Sequence, residues 1–182
     1  MKLTTLAWTA AATAATAAAG GAATDPGSSW YLRLRKPEWQ PPAIAFPVVW
    51  TVLYADLAVS SAVALDSAAA KDVAAERGST AAATTSTNSK GNRREVRAYQ
   101  GALAANLVLN ATWSWLFWRS RRPWLAAAEA ALLAASSADL VRRTYRLHPR
   151  TGAALAPYAA WCGFATVLST AIARLNSGSG SR

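Results

Sequence analysis

The sequence predicts an all-α membrane protein, a single domain built as a five-transmembrane-helix bundle. Three observations carry that prediction. Five stretches of about 20 residues are free or nearly free of charge, long enough at 1.5 Å per residue to cross a hydrocarbon layer of roughly 30 Å. None of them alternates polar with apolar residues, so helices rather than a barrel would satisfy the backbone in lipid. The chain of 182 residues is 53% hydrophobic and 15% charged, against about 25% charged in an average soluble domain, and its nine Trp outnumber both its five Tyr and its three Phe.

The first span, 3–23, carries no charge, with Ala and Thr where Leu and Ile are usual. Lys2, the apolar stretch and the small residues before Thr24 also fit a secretory signal peptide. Residues 24–45 follow as a lid loop. Pro37, Pro41 and Pro42 forbid a continuous helix there, and Trp30, Tyr31 and Trp39 mixed with Arg33, Arg35 and Lys36 suit a headgroup layer. The second span, 46–65, holds Pro47 in its first turn, where a missing N–H costs little, and Asp56 near its middle. Residues 66–97, rich in Ser, Thr and Ala with Gly78 and Gly91, read as a flexible linker. The third span, 98–118, is closed by Arg119, Arg121 and Arg122. The fourth, 123–141, starts at Pro123 and ends before Arg142, Arg143 and Arg146. The fifth, 151–175, is followed by a Gly/Ser tail.

Composition excludes several chemistries. One Cys (Cys162) forms no internal disulfide or Cys-based zinc centre, and one His (His148) supplies no bis-histidine haem. No metal site is expected. No nucleotide loop, paired catalytic carboxylates or Ser/His/Asp set is present, and no cofactor is required. The formal net charge of +10 is accounted for by cations flanking the spans beside anionic lipid headgroups. They form no single face, which argues against nucleic acid as a partner.

Chemistry concentrates on a few faces. In span three, Asn106, Asn110, Trp113 and Phe117 recur at helical spacing and share a face. Amides are costly in lipid, so this face should look into the bundle, as interhelical glue or as ligand contact. In span two Trp50 and Tyr54 form a stripe, and in span five Pro157, Trp161 and Ala165 form another. Trp8, Trp39, Trp118 and Trp124 lie near span ends and read as interfacial anchors. Three carboxylates fall within spans. Asp139 has Arg142 and Arg143 one turn away and reads as an ion pair. Asp56 and Glu129 remain candidates for a polar or proton-handling role. Gly101 with Ala105, and Ala98 with Ala102, permit close approach and a homodimer through span three.

Three motifs then resemble one family. WYLRLRKPEWQPPAIAFPVVWTVLY (30–54), LNATWSWLFW (109–118) and APYAAWCGFATVLSTAIARLN (156–176) are similar, in order, to the signatures of the tryptophan-rich sensory protein and translocator protein family, also called the peripheral benzodiazepine receptor family. The resemblance implies five transmembrane helices with 3–23 as the first. It implies an integral multi-pass location, in a bacterial cell membrane or an organelle membrane such as the mitochondrial outer membrane. It implies a pocket under the first loop for porphyrins, protoporphyrin IX or haem, and for aromatic drug-like molecules, in a sensor, receptor or translocator linked to stress regulation and transport. The ligand-binding positions it implies are Tyr31, Trp50, Tyr54, Asn110, Trp113, Trp161 and Ala165. Trp50 and Trp161 would be catalytic in members that degrade protoporphyrin IX in light. Tetrapyrrole, lipid or sterol transport is a further implied role, and an acidic position in span four falls on Glu129. The family's Asn late in span five is Ser169 here. The Tyr of its cholesterol motif is Thr170, which puts sterol binding there in doubt, although 140–150 fits a loose sterol pattern around Tyr145.

Overall fold

A computed structural model describes residues 1–78 and 82–177. Its elements are α1 (Leu3–Ala23), α2 (Ser29–Arg33), α3 (Ala45–Gly78), α4 (Ala82–Ser114) running into a π-helical turn (Trp115–Arg119), α5 (Pro123–Leu147), α6 (Pro149–Ala154) and α7 (Ala156–Asn176). The fold is all-helical among the described residues. Among the described residues three stretches are long and apolar enough to cross a bilayer, Ala45–Lys71, Pro123–Leu147 and Pro149–Asn176. The expected count of five spans is therefore not reached on length and hydropathy. The Ala/Thr composition dilutes the hydropathy of α1, and the polar first half of α4 does the same there.

Long helices consecutive in the chain run antiparallel, whereas α1 and α4 run parallel, Gly20 and Ser114 meeting near their C-terminal ends. α1 lies against α3 and α4, and α5 lies between α4 and α7. The lid segment, the π turn and the C-terminus of α7 meet at one end. At the other end the N-terminus meets Asp66 of α3, and Lys71 of α3 reaches Leu147 O at the α5–α6 corner. Prolines begin α5, α6 and α7 in their first turns, where no intrahelical N–H bond is lost. Pro157 also divides the expected fifth span. The chain turns at Leu155, between α6 and α7, because proline at 157 cannot donate to the carbonyl four residues back.

The expected linker needs correction. α3 continues to Gly78 and α4 is helical from Ala82, so 66–78 and 82–97 are helix, and only 79–81 of that segment lies outside the described residues. Ala68, Ala69, Ala70, Ala74 and Ala75 explain the first part, alanine being the strongest helix former. The Ser/Thr/Asn run after Ala82 has weak propensity, and it is helical as the continuation of α4.

The interior is polar to a degree that the mean composition of the spans conceals. Thr9, Thr13, Thr16 and Gly20 fall on the buried stripe of α1. Each threonine returns its hydroxyl to a carbonyl one turn back, and Thr9 Oγ1 also donates to Ala58 O of α3 at 2.9 Å. Glycine at 20 permits close approach, since a β-carbon there would stand 3.1 Å from Ser114 Oγ. Outward positions carry the apolar side chains, among them Val48, Val52, Val108, Leu132 and Val167. Apolar outside and hydrogen-bonded inside is the arrangement lipid requires.

Candidate functional site

A cavity of about 470 Å³ opens between α1, α3, α4 and α7 beneath the lid segment. Its aromatic walls come from Tyr31, Phe46, Trp50, Tyr54, Trp113 and Phe117, with Trp118 beside them. Polar character is confined to a few groups, including Gln40, Asn110, Ser114 and Ser169. Mostly apolar walls with few convergent polar atoms describe a small-molecule site.

Helical spacing places the walls. Trp50 and Tyr54 lie one turn apart on α3 and stack at 5.4 Å. Trp113 and Phe117 do the same on α4 at 5.4 Å with their planes 15° apart. The π turn adds a residue to the helical circuit and brings Phe117 and Trp118 together under the lid. Tyr31 meets Trp118 at 4.6 Å and Phe117 at 6.3 Å, and Trp30 meets Phe117 edge-on at 5.5 Å. Trp118 thus differs from its reading as an interfacial anchor. It faces the cavity because the π turn rotates it inward. Trp8, Trp39 and Trp124 are exposed, as anchors should be.

The lid segment is tied down. Ser28 Oγ caps α2 by accepting from Tyr31 N. Lys36 Nζ donates to Tyr31 O at 2.7 Å and lies 4.3 Å from the Tyr31 ring centre. Asn176, the last residue of α7, accepts from Arg35 N at 3.0 Å and donates to Arg35 O at 2.9 Å. Sequence reading did not single out this reciprocal pair, because its partners are 141 positions apart.

Below the cavity a chain of hydrogen bonds crosses the bundle. Tyr54 OH donates to Asn110 Oδ1 at 2.5 Å, Asn110 Nδ2 to Tyr158 OH at 3.1 Å, and Tyr158 OH to Asn106 Oδ1 at 2.7 Å. Asn106 Nδ2 continues to Ser136 and Ser137, and Ser137 Oγ lies 3.4 Å from Cys162 Sγ. Asn106 is fully buried and bonded on both sides, so it is interhelical glue away from the cavity wall. Asn110 reaches the wall. Tyr158 is the hub of this chain of bonds, and its motif alone does not mark it, because its partners lie on another helix 48 and 52 positions away.

Of the seven expected ligand positions, Tyr31, Trp50, Tyr54, Asn110 and Trp113 line the cavity. Trp161 and Ala165 are outside its wall. Trp161 stands behind Phe46, ring centres 6.0 Å apart, and stacks on Phe164 at 5.0 Å. Asp56 also lies away from the cavity and accepts from Ser60 Oγ at 2.9 Å. Asp139 pairs with Arg142 and Arg143, as its spacing predicts. Glu129 is 6% exposed, and neither of its carboxyl oxygens has a hydrogen-bond partner. Among the described residues two further buried side-chain atoms lack partners, Trp113 Nε1 and Gln40 Oε1, both on cavity residues. A β-carbon on Gly101 would meet open space.

The model of the TspO/MBR family matches residues 7–175. The chain belongs to the TspO/MBR family. Among its relatives are the translocator protein of Sus scrofa, 28% identical over 152 residues covering 84% of this chain and 78% of the relative, and that of Homo sapiens, 27% identical over 152 residues with the same coverage. The tryptophan-rich sensory protein of Cereibacter sphaeroides is 30% identical over 156 residues, 86% of this chain and 82% of the relative. Family membership with three helices apolar enough to span makes this an integral membrane protein.

Proposed function

We propose that the protein is a tetrapyrrole-binding sensor or translocator, a five-span bundle that holds a porphyrin such as protoporphyrin IX in the aromatic cavity under its lid. The observation that carries this reading is the pairing of stacked aromatic walls with one amide, Asn110, at the floor of a cavity of about 470 Å³. A flat apolar macrocycle gains from stacking on Trp and Tyr, and this volume falls in the range of small-molecule sites. α1 and α4 count as spans in this reading because both pack lengthwise into the bundle beside α3, and the α1 threonines spend their polarity inward. Arg33 and Arg35 on the lid are exposed and available to propionates, whereas Lys36 is engaged by carbonyls.

Titration of the purified protein in detergent with protoporphyrin IX tests the reading. Saturable quenching of tryptophan fluorescence is expected, with about tenfold weaker affinity, near 1.4 kcal/mol, in Trp50→Ala or Asn110→Ala. Quenching that never saturates would remove it.

A second reading, light-driven porphyrin breakdown, is favoured by one observation. Trp50 is a wall residue, so an electron-rich indole would lie against a photoexcited macrocycle. Illumination should then bleach the porphyrin faster with the native protein than with Trp50→Phe, and Trp161→Phe should have the smaller effect because Phe46 intervenes. Equal bleaching rates would dismiss it. Transport using Asp56 has less support, since Asp56 is bonded to Ser60 and off the cavity.

A further inference from the structure

The polar layer formed by Asn106, Ser136, Ser137 and Cys162 sets the register of three helices. Asn106 of α4 bonds Ser136 and Ser137 of α5, and Ser137 contacts Cys162 of α7. These neighbours are antiparallel, so counting seven residues toward the lid on each one climbs two helical turns on the same face. On α4 that count reaches Trp113, from Ser136 on α5 it reaches Glu129, and on α7 it reaches Ser169. The lower layer is fully bonded. The upper layer is not, because Trp113 Nε1 is buried without an acceptor and both oxygens of buried Glu129 are without a donor. Trp113 and Ser169 are cavity wall residues, and the same count places Glu129, which is not itself a wall residue, at their level on α5, the helix packed against both α4 and α7.

A buried orphan donor and a buried orphan carboxyl at one level of a membrane bundle point to a third group that satisfies both. We propose that Trp113 and Ser169 on the wall, with Glu129 of α5 behind them, form a polar subsite at the α5 edge of the cavity for the edge of a planar lactam, a ring carrying N–H and C=O side by side. The lactam N–H donates to the Glu129 carboxyl, and its carbonyl accepts from Trp113 Nε1 and the Ser169 hydroxyl. The ring itself continues the Trp113–Phe117 stack. This rests on the reading of the cavity as a small-molecule site, and it adds which edge chemistry the site selects.

The test uses 2-quinolone and N-methyl-2-quinolone, two planar lactams that differ in the N–H alone, each titrated calorimetrically into the full-length protein in detergent. The native protein should bind 2-quinolone about tenfold more tightly, the ordinary consequence of leaving a buried acceptor unmet. Glu129→Leu should abolish the preference. Glu129→Gln should keep it, because the amide oxygen still accepts. Ser169→Asn should also abolish it, its longer side chain filling the gap and bonding Glu129. Equal binding of the two quinolones by the native protein, or a preference that survives Glu129→Leu, overturns the proposal, and the first of these needs no variant to fold. Protoporphyrin IX titrated into the same preparation separates the two readings. Saturable porphyrin quenching without N–H discrimination overturns the subsite and leaves the porphyrin site standing, whereas binding of neither porphyrin nor quinolone overturns both.

Discussion

Tyr158 shows how much one hydroxyl holds together. It accepts from Asn110 and donates to Asn106, joining α7 to two levels of α4. Tyr158→Phe leaves an amide N–H and an amide oxygen buried and unmet, at a cost of about 1–3 kcal/mol for each unsatisfied group. A lower thermal midpoint in detergent, followed by circular dichroism, is the expected outcome, and an unchanged midpoint would show that the chain of bonds is dispensable. The same substitution frees Asn110 at the cavity floor, so ligand affinity should shift with stability. Trp118 belongs at this scale too. As a wall residue packed on Tyr31, its replacement by Ala should weaken porphyrin quenching, whereas Trp124→Ala, at an exposed position, should leave quenching unchanged.

At the scale of elements, the lid is governed by its attachments. Asn176 clamps the Arg35 backbone through two hydrogen bonds. Asn176→Ala should release the segment, and limited trypsin digestion should then cut at Arg33 or Arg35 faster than in the native protein. Equal cutting would place the restraint in the aromatic contacts of Trp30 and Tyr31 instead. The approach of α1 to α4 depends on Gly20, where an added β-carbon meets Ser114 Oγ at 3.1 Å. Gly20→Leu overfills that contact and should destabilise by about 1–3 kcal/mol, the usual cost of overpacking, with partial recovery when combined with Ser114→Gly. The absence of any recovery in thermal melts would mean that the two helices do not meet there. The α5–α6 corner is tighter still. A β-carbon on Gly152 would come within 2.3 Å of the Tyr145 backbone, so the corner admits glycine alone.

For the whole molecule, the decisive arrangement is inverted polarity. Valines such as Val48, Val52, Val108 and Val167 face outward, while Thr9, Ser61, Asn106, Ser137 and Thr144 are buried among the core leucines. The proposed five spans would put the lid and the α5–α6 corner on opposite sides of the membrane. In a Cys162→Ser background, Asp25→Cys and Arg150→Cys should therefore label from opposite faces of sealed vesicles with a membrane-impermeant thiol reagent. Labelling of both from one face would contradict five spans. The extension of α3 to Gly78 and of α4 from Ala82 carries both helices beyond the length that the cavity or a bilayer requires, and nothing in the structure explains why they run so far.

The sequence by itself determined the all-helical membrane class, the aromatic stripes and the family. Those follow from local rules, in which hydropathy over about 20 residues, helical spacing and proline at first turns act within one segment. It also placed Trp50, Tyr54, Asn110 and Trp113, whose spacing alone sets them on shared faces. Which faces would meet was decided only by tertiary structure. Trp161 has the same local signature as Trp50, yet it packs on Phe46 and Phe164 outside the cavity wall. Trp118 looked terminal until the π turn rotated it inward. Asn106 and Asn110 are one turn apart on one face and both bond Tyr158 of α7, and only the depth of the cavity, which reaches Asn110 and not Asn106, left one on the wall and made the other structural. Periodicity fixes direction around one helix axis, whereas a binding site is a meeting of several axes whose register depends on contacts distant in sequence.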